Sequence, residues 1–203
     1  MYNKDIIIFK NKVSLKEQNM QNKLDVIIEI PKHSNIKYEY DRVTKQISVD
    51  RILYGANIYP QNYGFIQDAL DWDGDELDAL EIADQAFIPG IKVPVRILGA
   101  MEMIDNGETD TKLITVIDCD KRYEHINSLK DVPNHIKEEI KNFFEQYKQL
   151  QKKDVKVIGF QDLEWAIKEY EECKKMMQEF GYLAKDEFVK KMMIEHPEKY
   201  VKK

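Results

Sequence analysis

Cysteine is scarce: Cys119 and Cys173 are the only two among 203 residues. Their spacing makes neither a disulfide framework nor a metal-ligand motif, and a reducing cytoplasm is the simplest reading. Arginine is nearly as rare, with Arg42, Arg51, Arg96 and Arg122 alone. The 31 bases are outnumbered by 37 acids, for a formal net charge of -6. A basic stripe is missing, which argues against a nucleic-acid partner. No apolar run approaches the roughly 20 residues of a membrane helix, so no membrane span is expected. The short run at Ile6–Phe9 is too brief for a secretory h-region. A P-loop, a G-x-S-x-G elbow and a dinucleotide fingerprint are all lacking. His33, His125, His135 and His196 show no ligand spacing and receive no role.

What is present suffices for a core: 43% of residues are hydrophobic and 33% charged, which excludes disorder along the whole chain. At roughly 150 residues per domain, the length suggests a main domain over residues 1–181 and a helical extension over 182–203. From Leu24 to Val116 the texture is mostly β. Strands are expected at Leu24–Ile30, Ile36–Tyr40, Ile47–Leu53, Val93–Met103 and Lys112–Ile117. The pair Asn106-Gly107 is a hairpin signal between the last two. Residues 19–23 read as a loop. Beyond Pro133, the residues Ile136, Ile140, Phe143, Phe144, Tyr147 and Leu150 form one helical stripe. A short strand is expected at Val155–Ile158. Leu163, Ile167, Tyr170 and Met177 form a second stripe with Gly181 as its C-cap, and a weaker helix is expected over 184–196. The fold class is therefore α+β, mainly β: a small five-stranded closed, OB-like barrel with flanking α-helices.

Charge is unevenly distributed. Neither Lys nor Arg occurs between Arg51 and Lys92, yet residues 71–84, DWDGDELDALEIAD, hold seven carboxylates. Such a cluster needs a counter-charge from elsewhere, and a metal ion is the obvious candidate. Calcium in an EF-hand is excluded, because from Asp71 position six is Glu76 and position twelve is Ile82. In D-G-D-x-x-D, Gly74 allows a bend that turns Asp73 and Asp75 to one point. Asp78 returns to the same side if the chain then turns helically. Mg²⁺ takes one or two carboxylates plus substrate phosphate oxygens, which suits this set. A solvated acidic loop is the competing reading. Asp105 and Asp110 add ligands only if the fold brings their hairpin alongside.

The basic and phenolic groups are scattered. Lys37, Lys112 and Lys148 each read as solvated when taken singly. Arg51 is more suggestive, because guanidinium suits bidentate phosphate contact. In Tyr59–Gly64, YPQNYG, the tyrosines either pack under a loop or offer hydroxyls to phosphate. Tyr147 falls on its helix's apolar stripe, where packing is the default.

Seven segments together resemble the soluble family I inorganic pyrophosphatases of bacterial type. They are I-E-I-P at 28–31, I-K-Y-E at 36–39, V-D-R at 49–51, Y-P-x-N-Y-G at 59–64, D-G-D-x-x-D at 73–78, D-x-x-x-x-D-x-K at 105–112 and F-F-E-x-Y-K at 143–148. The resemblance implies an Mg²⁺-dependent enzyme that hydrolyses diphosphate to two phosphates. It places Asp73, Asp78 and Asp110 on activating metals, and Asp105 and Glu29 on metals arriving with substrate. Asp75 takes the proton from the attacking water. Lys37, Arg51, Tyr63, Tyr147 and Lys148 bind phosphate, while Lys112 and Glu39 shape the charge balance at the substrate. A cytoplasmic homohexamer is implied as well. One departure stands out: Glu76 occupies a position where the family usually has proline. That loosens the loop, and the extra acid either perturbs Asp75 or points to water. Two other readings compete, a catalytically inactive phosphate- or metal-binding scaffold barrel and an oligonucleotide-binding barrel. The intact carboxylate set argues against the first and the acidic face against the second.

Overall fold

The computed structural model describes residues 22–200. The apolar run at Ile6–Phe9 and most of the loop expected over 19–23 lie outside them, and Lys23 already opens the first strand. Nine strands follow in order: β1 Lys23–Ile30, β2 Ile36–Asp41, β3 Gln46–Ile52, β4 Asn62–Leu70, β5 Glu76–Ile82, β6 Lys92–Asp105, β7 Glu108–Thr109, β8 Lys112–Ile117 and β9 Val155–Gln161. Helix α1, Asn134–Gln146, precedes β9; α2, Leu163–Phe180, and α3, Lys185–Glu195, follow it.

Five strands close a barrel in the order β1-β4-β5-β8-β6, with β6 returning to β1. Every pairing in it is antiparallel except β5 with β8. The 14-residue β6 runs past the barrel and carries β7 and β9 on its far half. The barrel strands are not the five that the sequence suggests. β2 and β3 pair only with each other, as a hairpin beside the barrel, and β4 and β5 take the two remaining places. β5 is paired on both edges and covered on both faces, so its side chains show no inside-outside alternation.

The core fills the barrel interior and continues over the covered outer faces of its strands, with Val26, Ile28, Ile30, Leu77, Leu80, Val95 and Ile97 essentially inaccessible. Burying each such side chain contributes roughly 1.5–3 kcal/mol. Helix α1 buries Ile140, Phe143 and Phe144 along the expected stripe, and Tyr147 follows as its C-cap. Leu150 departs from that stripe and is 66% exposed, because the helix ends at Gln146 and a 3-10 turn follows. On α2 the buried line is Ala166, Tyr170, Cys173 and Met176. The expected Leu163, Ile167 and Met177 flank it, half-buried. Gly181 caps α2 in a right-handed conformation, φ -60°, so its place there does not need glycine's freedom. Helix α3 ends before Pro197, as expected, and sends Phe188 and Met192 into the core. Among the described residues no helix is long and apolar enough to cross a membrane.

Candidate active site

The acidic segment bends where its glycine permits. Gly74 has φ +86°, a left-handed value that any Cβ would strain. Its N–H donates to the Asp71 carbonyl at 3.0 Å, and the Asp71 N–H donates to the Asp75 carbonyl at 2.8 Å. The Asp73 carboxylate accepts the Asp75 N–H at 3.0 Å. Asp78 returns to the same side by a different route from the helical turn expected. It lies on β5, where two-residue alternation puts it on the face of Glu76. The parallel register of β5 with β8 sets Asp78 opposite Lys112. The second acidic segment is turned by Asn106 and Gly107, both with positive φ (51° and 96°), between the paired Asp105 and Glu108. This is the two-residue hairpin its sequence signals. Asp71, which is buried, joins the two segments by accepting the Thr111 N–H at 2.9 Å.

These elements enclose a cavity of about 410 Å³. Every site residue singled out in the sequence lines it: Glu29, Lys37, Glu39, Arg51, Tyr63, Asp73, Asp75, Asp78, Asp105, Asp110, Lys112, Tyr147 and Lys148. Acids and bases interleave within it. Lys112 is 2% exposed, against its expectation as a solvated strand residue, and its ammonium donates to Asp78 and Asp110. Lys148 donates to Asp105. Lys37 lies 3.5 Å from Glu39, on the shared face that their alternation predicts, and 3.1 Å from Asp50. Arg51 pairs with Asp50. The tyrosines combine both readings left open above. Tyr63 and Tyr147 pack with Tyr59, Phe143 and Phe144 in one aromatic layer under the cavity. The Tyr63 hydroxyl also reaches out of that layer to donate to Asp78.

Burial is the main electrostatic force here. It raises Glu29 from the ordinary carboxylate value to about 8, with Asp78 adding to the shift. Asp73 is also raised to about 8, by burial and then by Asp110 and Asp75. Burial raises Asp78 as well, although Lys112 partly offsets it. Burial alone would pull Lys112 down, but Asp110 and Asp78 outweigh it and hold the ammonium charged. Lys148 shows the opposite balance: desolvation lowers it despite Asp105. This is a pocket short of positive charge.

The donor set fits a hard divalent cation. All candidate ligands are carboxylate oxygens. One of them, Asp105 Oδ1, is buried with no hydrogen-bond partner among the described residues. A separate group, Asp71, Glu169 and Cys173, also brings its ligating atoms within 4.8 Å of one another. Its oxygens already accept from the Trp72 and Thr111 N–H groups, the Trp72 indole and Lys199, and it holds the segment in place.

Sequence reasoning missed several participants. Arg42 donates to Glu76 at 2.8 Å, to the Gly74 carbonyl at 2.9 Å and to the Gly181 carbonyl at 3.4 Å. Glu76 therefore does not point to water; it is buried under that guanidinium. Lys185, at the start of α3, donates to Asp75. Asp50 bridges Lys37 and Arg51. Arg42 and Lys185 stand 34 and 110 positions from their acid partners, so no local spacing could have revealed them. Asn62 is the structural centre of the Y-P-x-N-Y-G segment. It is fully buried, accepts from Lys32 and Phe87 N–H groups, and donates to Glu81 and the Gln85 carbonyl.

Comparison with known proteins agrees with this geometry. A family model described as inorganic pyrophosphatase matches residues 26–178. The inorganic pyrophosphatase of Malacoplasma penetrans is 68% identical over 178 residues, 88% of this chain and 98% of that protein. That of Ureaplasma parvum is 67% identical over 180 residues, covering 89% and 99%. The crystal structure of inorganic pyrophosphatase from Thermus thermophilus superposes with a TM-score of 0.75 at 41% identity, covering 77% of this chain and 92% of that one. An acid-lined cavity beside a closed five-stranded barrel, carried on a sequence this similar, makes the chain a member of the inorganic pyrophosphatase family.

Proposed function

We propose that this enzyme hydrolyses diphosphate to two phosphates, with Mg²⁺ as its metal and Asp75 as the general base. The observation that carries the reading is the convergence of Glu29, Asp73, Asp75, Asp78, Asp105 and Asp110 with Lys37, Arg51, Lys148 and two tyrosines in one cavity. Diphosphate is strongly anionic and repels an incoming oxygen, so the site must spread charge as the leaving phosphate departs. Asp73, Asp78 and Asp110, with Asp105 and Glu29, would hold the divalent ions, which when bound would supply that neutralisation and lower the pKa of a water. Lys37 and Arg51 reach the cavity from the β2–β3 hairpin and Lys148 from the end of α1. They clasp the phosphate oxygens, to which the Tyr147 hydroxyl and, on turning away from Asp78, the Tyr63 hydroxyl donate. Lys112 maintains charge balance between Asp78 and Asp110. Asp75 is about half exposed. A carboxylate there accepts the water's proton and returns it to solvent.

The test is phosphate release from diphosphate with Mg²⁺. Asp75→Asn is expected to lose on the order of 10²- to 10⁴-fold in turnover while still binding metal. Unchanged turnover removes Asp75 from its role. Absence of release with every divalent metal tried would favour an inactive scaffold, which no observation here supports. A cytoplasmic homohexamer belongs to the same reading. Light scattering is expected to give six times the chain mass, and a monomer overturns it.

A further inference from the structure

Residues 185–200 lie beyond the span matched by the family model, yet they close over the acidic loop. The backbone of Lys185 abuts Gly74: a Cβ built there would stand 3.0 Å from Lys185 Cγ and 3.3 Å from its carbonyl oxygen. Downstream, the Tyr200 hydroxyl donates to the Trp72 carbonyl at 2.6 Å. The Thr109 hydroxyl donates to the Lys199 carbonyl at 2.7 Å, and Tyr200 bridges Glu108. The strap is thus fastened to both acidic segments, and α3 is held with its first residue at the cavity. From there the Lys185 ammonium donates to Asp75 and lies 3.8 Å from Asp73 Oδ2.

We propose that Lys185 is a built-in counter-cation that sets the enzyme's metal affinity: it holds Asp73 and Asp75 in the metal-free protein and must leave them when a divalent ion binds. The inference rests on the reading of Asp73 as a metal ligand. A divalent ion held by Asp73 would lie beside the Lys185 ammonium and repel it strongly. In the metal-free protein Lys185 offsets part of the charge of that acid pair. Lys185 is a positioning residue, acting through the two aspartates. Its side chain is 47% exposed, so it has solvent to swing into.

Two measurements test this, and neither requires turnover. In the wild-type protein, acetic anhydride labelling followed by mass spectrometry is expected to show Lys185 becoming more reactive as Mg²⁺ is added. Lys174 and Lys191, which pair with Glu171 and Glu195, serve as unchanged references. By calorimetry, Lys185→Met is expected to bind Mg²⁺ about 3- to 10-fold more tightly, the scale of a partly exposed ion pair. Lys185→Arg is expected to stay near wild type, and Lys191→Met, the same charge loss on the same helix, to change little. Labelling that ignores Mg²⁺, or a Lys185→Met protein whose affinity is unchanged or weaker, overturns the proposal and leaves Lys185 a structural staple. If wild-type protein neither binds Mg²⁺ nor releases phosphate, the functional reading itself fails. If it does both and Lys185→Met is unaltered, only this inference fails.

Discussion

Glu76 illustrates what a single replacement demands of its surroundings. Proline would fix its own φ and stiffen the acidic loop. Glutamate leaves the backbone free and introduces a charge that the fold buries. Arg42 compensates on both counts, neutralising the carboxylate and gripping the Gly74 carbonyl. Arg42→Met strands a buried charge and is expected to cost about 1–3 kcal/mol of metal-free stability in urea unfolding. Glu76→Gln, which keeps an acceptor for Arg42, is expected to cost less. In the double variant the penalties should fall short of their sum, since the two residues share one interaction. Strictly additive penalties would show that the pair does not anchor the loop. Neither residue's role was legible beforehand. Glu76 could be recognised as a departure, but its partner lies in the turn between β2 and β3 and only the fold joins them.

At the scale of elements, legibility followed solvent exposure. The β2–β3 hairpin stands outside the barrel, and its alternation is plain in Ile36–Tyr40. The Asn106-Gly107 turn was equally readable, because positive φ at two successive residues has few sequence solutions. β4 was hidden, since Asn62 and Gly64 are poor strand formers read in isolation. Each is there for a tertiary reason. Asn62 satisfies four hydrogen-bond partners. Gly64 lies where β1 passes so closely that an added Cβ would fall 2.0 Å from the Ile27 carbonyl oxygen. The obstacle is backbone, which cannot rotate away as a side chain could. Gly64→Ala should therefore part β1 from β4 and displace Glu29 and Tyr63 together. Chemical denaturation is expected to show a loss of several kcal/mol, typical of severe overpacking, along with weakened hydrolysis. A Gly64→Ala protein of wild-type stability would mean that the two strands are not held this tightly. The candidate site was more legible than the barrel beside it, because its carboxylates, lysines and tyrosines came in recognisable segments. Their convergence was not readable, since it depends on the parallel register that sets Asp78 against Lys112.

The molecule as a whole holds more buried acid than its own cations relieve, and this governs how it responds to pH and metal. Glu29 and Asp73, each raised to about 8 in the folded protein against ordinary values of 4.5 and 3.8, keep protons that the unfolded chain has released. Between roughly pH 4 and pH 8 the native state thus binds more protons than the unfolded state. The slope of stability with pH is negative where that holds. Metal-free protein is accordingly expected to lose thermal stability as pH rises from about 5 to about 8 and to level off above. Mg²⁺, the metal proposed above, is expected to reverse the trend. An ion that binds only the native state stabilises it by mass action, and one that takes these carboxylates would compete with their protons. The rise in Tm produced by a fixed Mg²⁺ concentration should therefore grow across the same interval. Calorimetric scans in chelator and in Mg²⁺, taken at half-unit steps of pH, read both trends. A metal-free Tm that climbs from pH 5 to pH 8, or an Mg²⁺ increment indifferent to pH, would mean that these acids are already ionised and satisfied without metal. The cavity would then have no need of a divalent ion to become stable.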